Sequence, residues 1–326
     1  MEMEKVPAAG YPIEGLWISG LQRRLSFSNL LFPVKVIHSL IRCRRILRSF
    51  RPDAVVGVGG YASGPLVKAA AGMRIPSVLQ EQNSFPGITN RMLAGKADKI
   101  CVAYPGMEKF FPAAKIILTG NPMRSRLSDS FTREEAAKVF GLDPDKKTIL
   151  AIGGSLGART INETIKQAFD LVEDRRDIQV LWQVGKLYAA HYLDTPVAQL
   201  DHVAPFVFID RMDMAYALAD VVIARAGAMT ISELCLTGKA SILIPSPHVA
   251  EDHQTHNARS LVDLGAAILV SDQDAPQQAF AEALRLLESD IDRKHLEEQI
   301  RKLARPGAAD EIAEIVLEVA QKGRSS

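Results

Sequence analysis

A chain of 326 residues with 47% apolar residues exceeds one ordinary hydrophobic core and predicts two globular domains. No run of 18 apolar residues is present, which excludes a spanning helix, and an aromatic share of 6% offers no stacking surface for single-stranded nucleic acid. The net charge of +1 conceals an asymmetry: residues 1–128 hold 18 Lys and Arg against 7 Asp and Glu, whereas the remainder balances at −10.

The opening residues, Met1-Glu2-Met3-Glu4-Lys5, are acidic and polar where a signal peptide is basic and then apolar. Residues 15–52 contain no acid, yet carry Arg23, Arg24, Lys35, Arg42, Arg44, Arg45, Arg48 and Arg51 among Leu30, Leu31, Phe32, Val34, Ile37, Leu40 and Ile41. From Val34 to Phe50 the apolar residues recur at helical spacing and predict a basic amphipathic helix. Such a helix is either an ordinary surface helix with one buried face or a dock for anionic lipid headgroups. No nucleic-acid motif accompanies the charge, so nucleic acid is not the expected partner. The cysteines, Cys43, Cys101 and Cys235, are far apart and suit a reducing compartment.

Next comes the buried-strand signal Ala54-Val55-Val56-Gly57-Val58, which runs into the glycine-rich Gly59-Gly60-Tyr61-Ala62-Ser63-Gly64-Pro65 and a helix over 66–71. A strand over 75–81, a polar loop over 82–87, a helix over 88–97 and strands over 99–103 and 116–119 complete the first half. Gly120-Asn121-Pro122-Met123-Arg124 reads as the domain exit, and Ser128-Asp129-Ser130 as a linker into a capped helix at Thr132. The second half repeats the alternation. Strand Thr148–Ile152 meets Gly153-Gly154-Ser155-Leu156-Gly157-Ala158 and a helix over 158–172; strands follow over 179–184 and 207–209, with a short helix over 212–219. Strand Val221–Ala224 meets Arg225-Ala226-Gly227-Ala228 and a helix over 229–237; strand Ser241–Ile244 opens into a polar loop over 245–257, and a last amphipathic helix covers 310–326. Strands alternating with helices predict an α/β fold with parallel sheets and ligand sites at the carboxyl ends of the strands. A strand–glycine–helix unit points backbone amides and a helix N-terminus at one spot, which suits the phosphates of a nucleotide.

The segments Gly57–Pro65, Glu81-Gln82-Asn83 with Gly87, Gly120–Arg124, Gly153–Ala158, Phe208–Met212, Ala226–Glu233 and His253–Ala258 together resemble the MurG family of GT-B glycosyltransferases, in the family's order and across essentially the whole chain. The resemblance implies two Rossmann-like, doubly wound domains facing a cleft: an N-terminal lipid-acceptor domain over 1–124, a UDP-GlcNAc domain over 125–308, and a terminal helix over 309–326 that returns to the first. It implies transfer of N-acetylglucosamine from UDP-GlcNAc to lipid I (undecaprenyl-diphosphate-N-acetylmuramoyl-pentapeptide), giving lipid II for peptidoglycan, peripherally at the cytoplasmic face of the bacterial membrane, with residues 15–52 on the anionic surface. One departure stands out. The family's opening Gly-Thr-Gly-Gly-His loop, whose histidine is placed near the reaction centre, has no match, so the N-terminal domain is read as cut short and the chain as written as impaired.

The resemblance also assigns roles. For UDP-GlcNAc these are Asn83, Arg124, Ser155, Ile209, Ala228, Met229, Thr230, Ile231, Ser232, Glu233 and Gln254, with His253 beside the last. Ser155 lies near the diphosphate, Ile209 meets uracil through its backbone, Glu233 accepts from the ribose hydroxyls, and Gln254 reaches the sugar. Gly59, Gly60, Tyr61, Ser63 and Gly64 hold the acceptor diphosphate. The catalytic base is left unassigned, with Glu81 as a candidate. No cofactor is expected, and the loop histidines His248, His253 and His256 are not read as a metal site. The alternatives are another GT-B enzyme on a UDP-sugar, such as a diacylglycerol glycosyltransferase or a UDP-GlcNAc epimerase, or a non-catalytic nucleotide-sugar-binding protein.

Overall fold

The computed structural model describes residues 2–18, 31–123, 127 and 131–324. The chain divides into two compact units: unit 1 is Met1–Gln82, Pro86–Thr119 and Asp310–Ser326, and unit 2 is Asn83–Phe85 and Gly120–Ala309.

Unit 1 begins with the short helix α1 (Glu2–Ala8) and the long helix α2 (Phe32–Phe50). Its four parallel strands, β1 (Val55–Gly57), β2 (Ser77–Glu81), β3 (Lys99–Val102) and β4 (Ile116–Leu118), lie side by side in sequence order. Helices α3 (Gly60–Gly72) and α4 (Ile88–Leu93) make the first two crossovers. Side chains alternate across a strand. Leu79, Ile100 and Val102 therefore pack with Cys43 and Leu47 of α2 and Val67 of α3, while Val78 and Cys101 meet Ile315 and Val319 on the opposite face. Those two belong to the last helix, α14 (Ala308–Arg324). Both faces of the sheet are thus covered, as a parallel sheet requires.

Unit 2 opens with α5 (Arg133–Phe140), whose N-cap Thr132 forms a capping box with Glu135. Its six parallel strands are β5 (Lys147–Ile152), β6 (Ile178–Gln183), β7 (Val203–Phe206), β8 (Val221–Ala224), β9 (Ala240–Leu243) and β10 (Ile268–Leu269), in the order β10-β9-β8-β5-β6-β7. The intervening helices are α6 (Arg159–Gln167), α7 (Phe169–Val172), α8 (Ala189–Tyr192), α9 (Met212–Leu218), α10 (Ala228–Thr237), α11 (His253–Val262), α12 (Ala275–Glu288) and α13 (Asp290–Arg301). Ile149, Ala151, Val180, Trp182 and Ile223 pack against Ile161 and Ile165 of α6 and Phe280 and Leu286 of α12. Arg133 staples the amino-terminal end of this sheet. Its guanidinium donates to the carbonyls of Pro144 (2.6 Å), Lys146 (2.6 Å) and Leu218 (2.7 Å) and to Asp220 Oδ2 (2.8 Å), which also accepts from the Thr148 amide at 2.7 Å.

Three expectations need correction. The glycine-rich segment after β1 is not a loop: the helix begins at Gly60 and carries Pro65 within it. This start is permitted because Gly57 lets α3 lie close on β1; a Cβ there would come within 2.8 Å of Val67 Cγ2. The strand expected at 207–209 lies at Val203–Phe206, where pairing with β6 fixes it and Pro205 is tolerated because β7 is an edge strand. The polar stretch expected as loop through Asn257 turns helical at His253, after Glu251 and Asp252 take left-handed backbone angles of φ 54° and 53°.

Candidate functional site

In unit 2 the strand order reverses beside β5, which pairs with β6 on one side and β8 on the other. The segments leaving the carboxyl ends of β5 and β8, Gly153–Ala158 and Arg225–Gly227, flank that switch point, where open parallel sheets bind ligands. The first turns back on itself through the Gly157 amide donating to the Gly154 carbonyl at 3.0 Å, with Ser155 exposed at its crest. Gly157 has φ +84°, and a Cβ there would stand 2.2 Å from the Val184 carbonyl, so the loops after β5 and β6 touch backbone to backbone.

Gln183, at the end of β6 and buried, joins two parts of the region. Its Nε2 donates to the Gly154 carbonyl at 2.9 Å, and its Oε1 accepts from the Ile209 amide at 2.8 Å. The Ile209 amide is therefore engaged by Gln183. Beneath this link, Trp182 Nε1 donates to Asn162 Oδ1 at 3.0 Å and Asn162 Nδ2 to the Val184 carbonyl at 3.0 Å, fixing the start of α6 against β6.

Helix α10 starts from Gly227, and its first internal bond is Ile231 N–H to the Gly227 carbonyl at 2.9 Å. The amides of Ala228, Met229 and Thr230 therefore have no partner within the helix and carry its positive end. Ser232 Oγ donates to the Ala228 carbonyl (3.0 Å) and accepts from Asn121 Nδ2 (3.0 Å), which occupies that hydroxyl in holding the first turn. One turn on, Glu233 Oε2 accepts from the Tyr216 hydroxyl at 2.9 Å. Burial, and then the Glu233 carboxylate, push the Tyr216 phenol well above its ordinary value, so it stays a donor and orients the carboxylate.

Asn257 ties the remaining positions to this edge. Its Nδ2 donates to Asn83 Oδ1 (3.0 Å) and lies 3.4 Å from the Ala226 carbonyl, while its Oδ1 accepts from the Ser84 amide at 2.9 Å. Asn83, expected in the first domain, accordingly belongs to unit 2. Phe85 stacks on His256 with ring centroids 4.7 Å apart. Gln254 Oε1 accepts from the Ser246 amide at 2.8 Å, in the segment following β9. Arg124 lies outside the described residues. Gln183, Tyr216 and Asn257 received no role from the sequence, because their task is to hold other groups, and no spacing signals that.

In unit 1, Gly59 (φ +85°) caps α3, and the Ser63 hydroxyl donates to its carbonyl at 2.7 Å. Gly60, Tyr61, Ser63 and Gly64 thus form the first turns of a helix, with Tyr61 exposed. Glu81 is buried at the end of β2, where Oε2 accepts from Asn90 Nδ2 (2.8 Å) and the Gly87 amide (3.1 Å). Gln82 Nε2 donates to the Val58 carbonyl at 2.9 Å and to Gln80 Oε1. Among the described residues no cluster of His, Cys, Asp and Glu is arranged to hold a metal ion.

Residues 1–102 match the glycosyltransferase family 28 N-terminal domain and residues 148–315 its C-terminal domain. The UDP-N-acetylglucosamine–N-acetylmuramyl-(pentapeptide) pyrophosphoryl-undecaprenol N-acetylglucosamine transferase of Parabacteroides distasonis is 49% identical over 99% of this chain and 88% of its own length. The protein of the same name from Bacteroides thetaiotaomicron is 49% identical over 98% of this chain and 87% of its own. Among solved structures, MurG of Acinetobacter baumannii superposes with a TM-score of 0.75 at 28% identity, covering 98% of this chain and 88% of that one. A UDP-GlcNAc 2-epimerase from Neisseria meningitidis, solved with UDP-GlcNAc, shares the fold alone, with a TM-score of 0.63 at 14% identity over 91% of this chain and 83% of its own. With two α/β units of parallel sheet and near-complete coverage by such relatives, the chain has the GT-B fold and belongs to glycosyltransferase family 28, within the MurG family.

Proposed function

We propose that this chain transfers N-acetylglucosamine from UDP-GlcNAc to lipid I, giving lipid II. The observation that carries this reading is the convergence at the unit 2 switch point of the glycine turn after β5, the open amides of α10 and an oriented Glu233. The open amides suit the diphosphate, the Tyr216-held carboxylate suits the ribose hydroxyls, and the Ile209 carbonyl suits the base. Ser155 and Gln254 complete the donor contacts, and Asn83 and Arg124 join them. The start of α3 in unit 1, from Gly59 to Gly64, takes the acceptor diphosphate by the same physics.

The reaction is an inverting displacement. The acceptor hydroxyl oxygen bonds to the anomeric carbon, the bond from that carbon to the UDP oxygen breaks, UDP leaves with the electron pair, and the hydroxyl proton passes to a base. Amides at the positive end of α10 stabilise the charge growing on the diphosphate. Glu81 serves the site by position in this account, since its buried carboxylate holds Asn90 and the Gly87 amide.

The chain meets its lipid substrate at the cytoplasmic face of the membrane, through the exposed apolar side chains of Val34, Ile37 and Ile41 on α2 and the arginines beside them. No helix among the described residues is long and apolar enough to cross a bilayer. Sedimentation with anionic vesicles is expected to weaken as salt rises; equal binding to neutral vesicles removes the basic segment from the account. The test of the reaction is incubation of the chain with labelled UDP-GlcNAc and lipid I in mixed micelles. Label in the lipid fraction, lost in Glu233→Ala, supports the transferase; label in diacylglycerol, or conversion to the 2-epimer, supports an alternative and sinks this one.

A further inference from the structure

One charged pair in unit 2 bridges the ends of three neighbouring strands. Arg225 follows the carboxyl end of β8, its side chain largely buried, and its Nη1 donates to the carbonyls of Ile244 at 3.0 Å and Pro245 at 3.2 Å, just beyond β9. The same nitrogen donates to Asp272 Oδ1 at 2.5 Å, in the segment that follows β10. Asp272 is the charged acceptor of the three, and a charge-assisted bond is the stronger kind, so its carboxylate fixes where the guanidinium sits.

What the guanidinium holds leads directly to Gln254. The Ser246 amide, next after Pro245, donates to Gln254 Oε1 at 2.8 Å. That bond commits the oxygen of the side-chain amide and turns Nε2 the other way, where it has no hydrogen bond among the described residues. Gln254 is therefore an oriented donor, and a sugar hydroxyl is an acceptor that suits it. The chain between Ser246 and Gln254 is not relaxed. Glu251 and Asp252 hold left-handed φ angles of 54° and 53°, which residues other than glycine keep only where their surroundings impose them. Asn257 anchors the far end of this stretch through Asn83 and the Ser84 amide, and Arg225 anchors the near end.

We propose that Asp272 is a positioning residue for the transferred sugar: through Arg225 it fixes Pro245 and Ser246, and so aims Gln254 Nε2 at a hydroxyl of the donor sugar. Asp272 itself touches no substrate. The inference rests on the donor reading given above and adds to it the group that sets the aim of Gln254. The clamp joins β8, β9 and β10, whereas Ile209 is held by Gln183 and Glu233 by Tyr216. Its loss is therefore felt at the sugar and not at the uridine.

The test is calorimetric titration of the full chain and its variants with UDP-GlcNAc and with UDP, each variant shown folded by circular dichroism. The Asp272 side chain is 28% exposed, so water replaces the lost carboxylate in Asp272→Ala and the variant folds. It is expected to bind UDP-GlcNAc about 5- to 10-fold more weakly and to change for UDP by less than about twofold. Asp272→Asn, which keeps an accepting oxygen, is expected to recover most of the loss. A double-mutant cycle then tests the route. Gln254→Ala alone is expected to weaken UDP-GlcNAc about 10-fold, and adding Asp272→Ala to weaken it less than about twofold further. Full additivity overturns the route through Gln254, and equal losses for UDP and UDP-GlcNAc in Asp272→Ala mean a general loosening of unit 2 and overturn the positioning role. If Gln254→Ala binds UDP-GlcNAc like the unaltered chain, the donor reading of Gln254 fails and this inference with it. If Gln254→Ala is weakened while Asp272→Ala is not, the positioning role alone fails.

Discussion

Gln183→Leu is the sharpest perturbation of the donor region, because it removes both hydrogen bonds of the buried amide while nearly keeping its volume. The Gly154 carbonyl loses a donor at 2.9 Å and the Ile209 amide an acceptor at 2.8 Å. Ile209 is 2% exposed, so water has little access to its amide. An unsatisfied buried backbone group costs about 1–3 kcal/mol; the Gly154 carbonyl, on an exposed turn, recovers part of its loss from water. The expected destabilisation is about 2–4 kcal/mol, read as a lower urea midpoint with unchanged slope. Because the same side chain joins the glycine turn to the segment proposed to hold uracil, the Kd for UDP-GlcNAc is expected to rise about tenfold, equivalent to about 1.4 kcal/mol. Gln183→Glu keeps an acceptor for Ile209 but sets a carboxylate against the Gly154 carbonyl, and should weaken binding at least as much. Ile161→Val, in the core beneath, costs about 1 kcal/mol of stability and should leave Kd unchanged. A Gln183→Leu chain with unaltered Kd, or Ile161→Val shifting Kd equally, would refute the linking role.

Other perturbations test separate contacts. Tyr216→Phe removes the hydroxyl that orients Glu233 and is expected to cost about 1 kcal/mol of stability and raise KM for UDP-GlcNAc several-fold with little change in kcat, measured by steady-state transfer kinetics. Arg133→Met strips three carbonyls and Asp220 of their donor, and is expected to cost about 3–5 kcal/mol in thermal or urea unfolding; Asp220→Asn on that background should recover part of it. Arg211 donates to Asp213 through two nitrogens and holds its carboxyl below the usual range, ahead of the backbone contribution from Met214. A folded-state pKa that is depressed gives stability above the unfolded pKa of about 4 and loses it as pH falls through the folded value. The stability advantage of the unaltered chain over Asp213→Asn should therefore shrink as urea midpoints are measured from about pH 6 down to pH 3.

The legible parts of this chain were those in which one element declares itself locally. Val221–Ala224 reads as a strand because a strand buried on both faces is an unbroken apolar run, and α2 shows its helical period because Ser39, Cys43 and Leu47 form one buried side while arginines recur among the exposed positions. Illegible were features set by distant partners. Gly60–Pro65 reads as loop by composition, and only packing on β1 makes it helix. Val207-Phe208-Ile209 outscores Val203–Phe206 in β propensity, yet pairing with β6 selects the latter. His253–Asn257 carries too few apolar residues to announce a helix, whose buried side begins only at Asn257 and Ala258. For the site, glycine turns and Glu233 stand out as residue types with a chemistry of their own. Gln183 and Asn257 are legible only once the loops they join are in place, 26 and 174 residues away respectively.

The claim on which the rest depends is that the unit 2 switch point binds UDP-GlcNAc. Calorimetric titration of the chain with UDP-GlcNAc, using ADP-glucose and NAD as controls, tests it directly. The account predicts saturable one-to-one binding of UDP-GlcNAc alone, weakened in Glu233→Ala. A chain that is folded by circular dichroism yet binds none of the three, or all alike, would contradict it and leave the glycine turns as structural elements only.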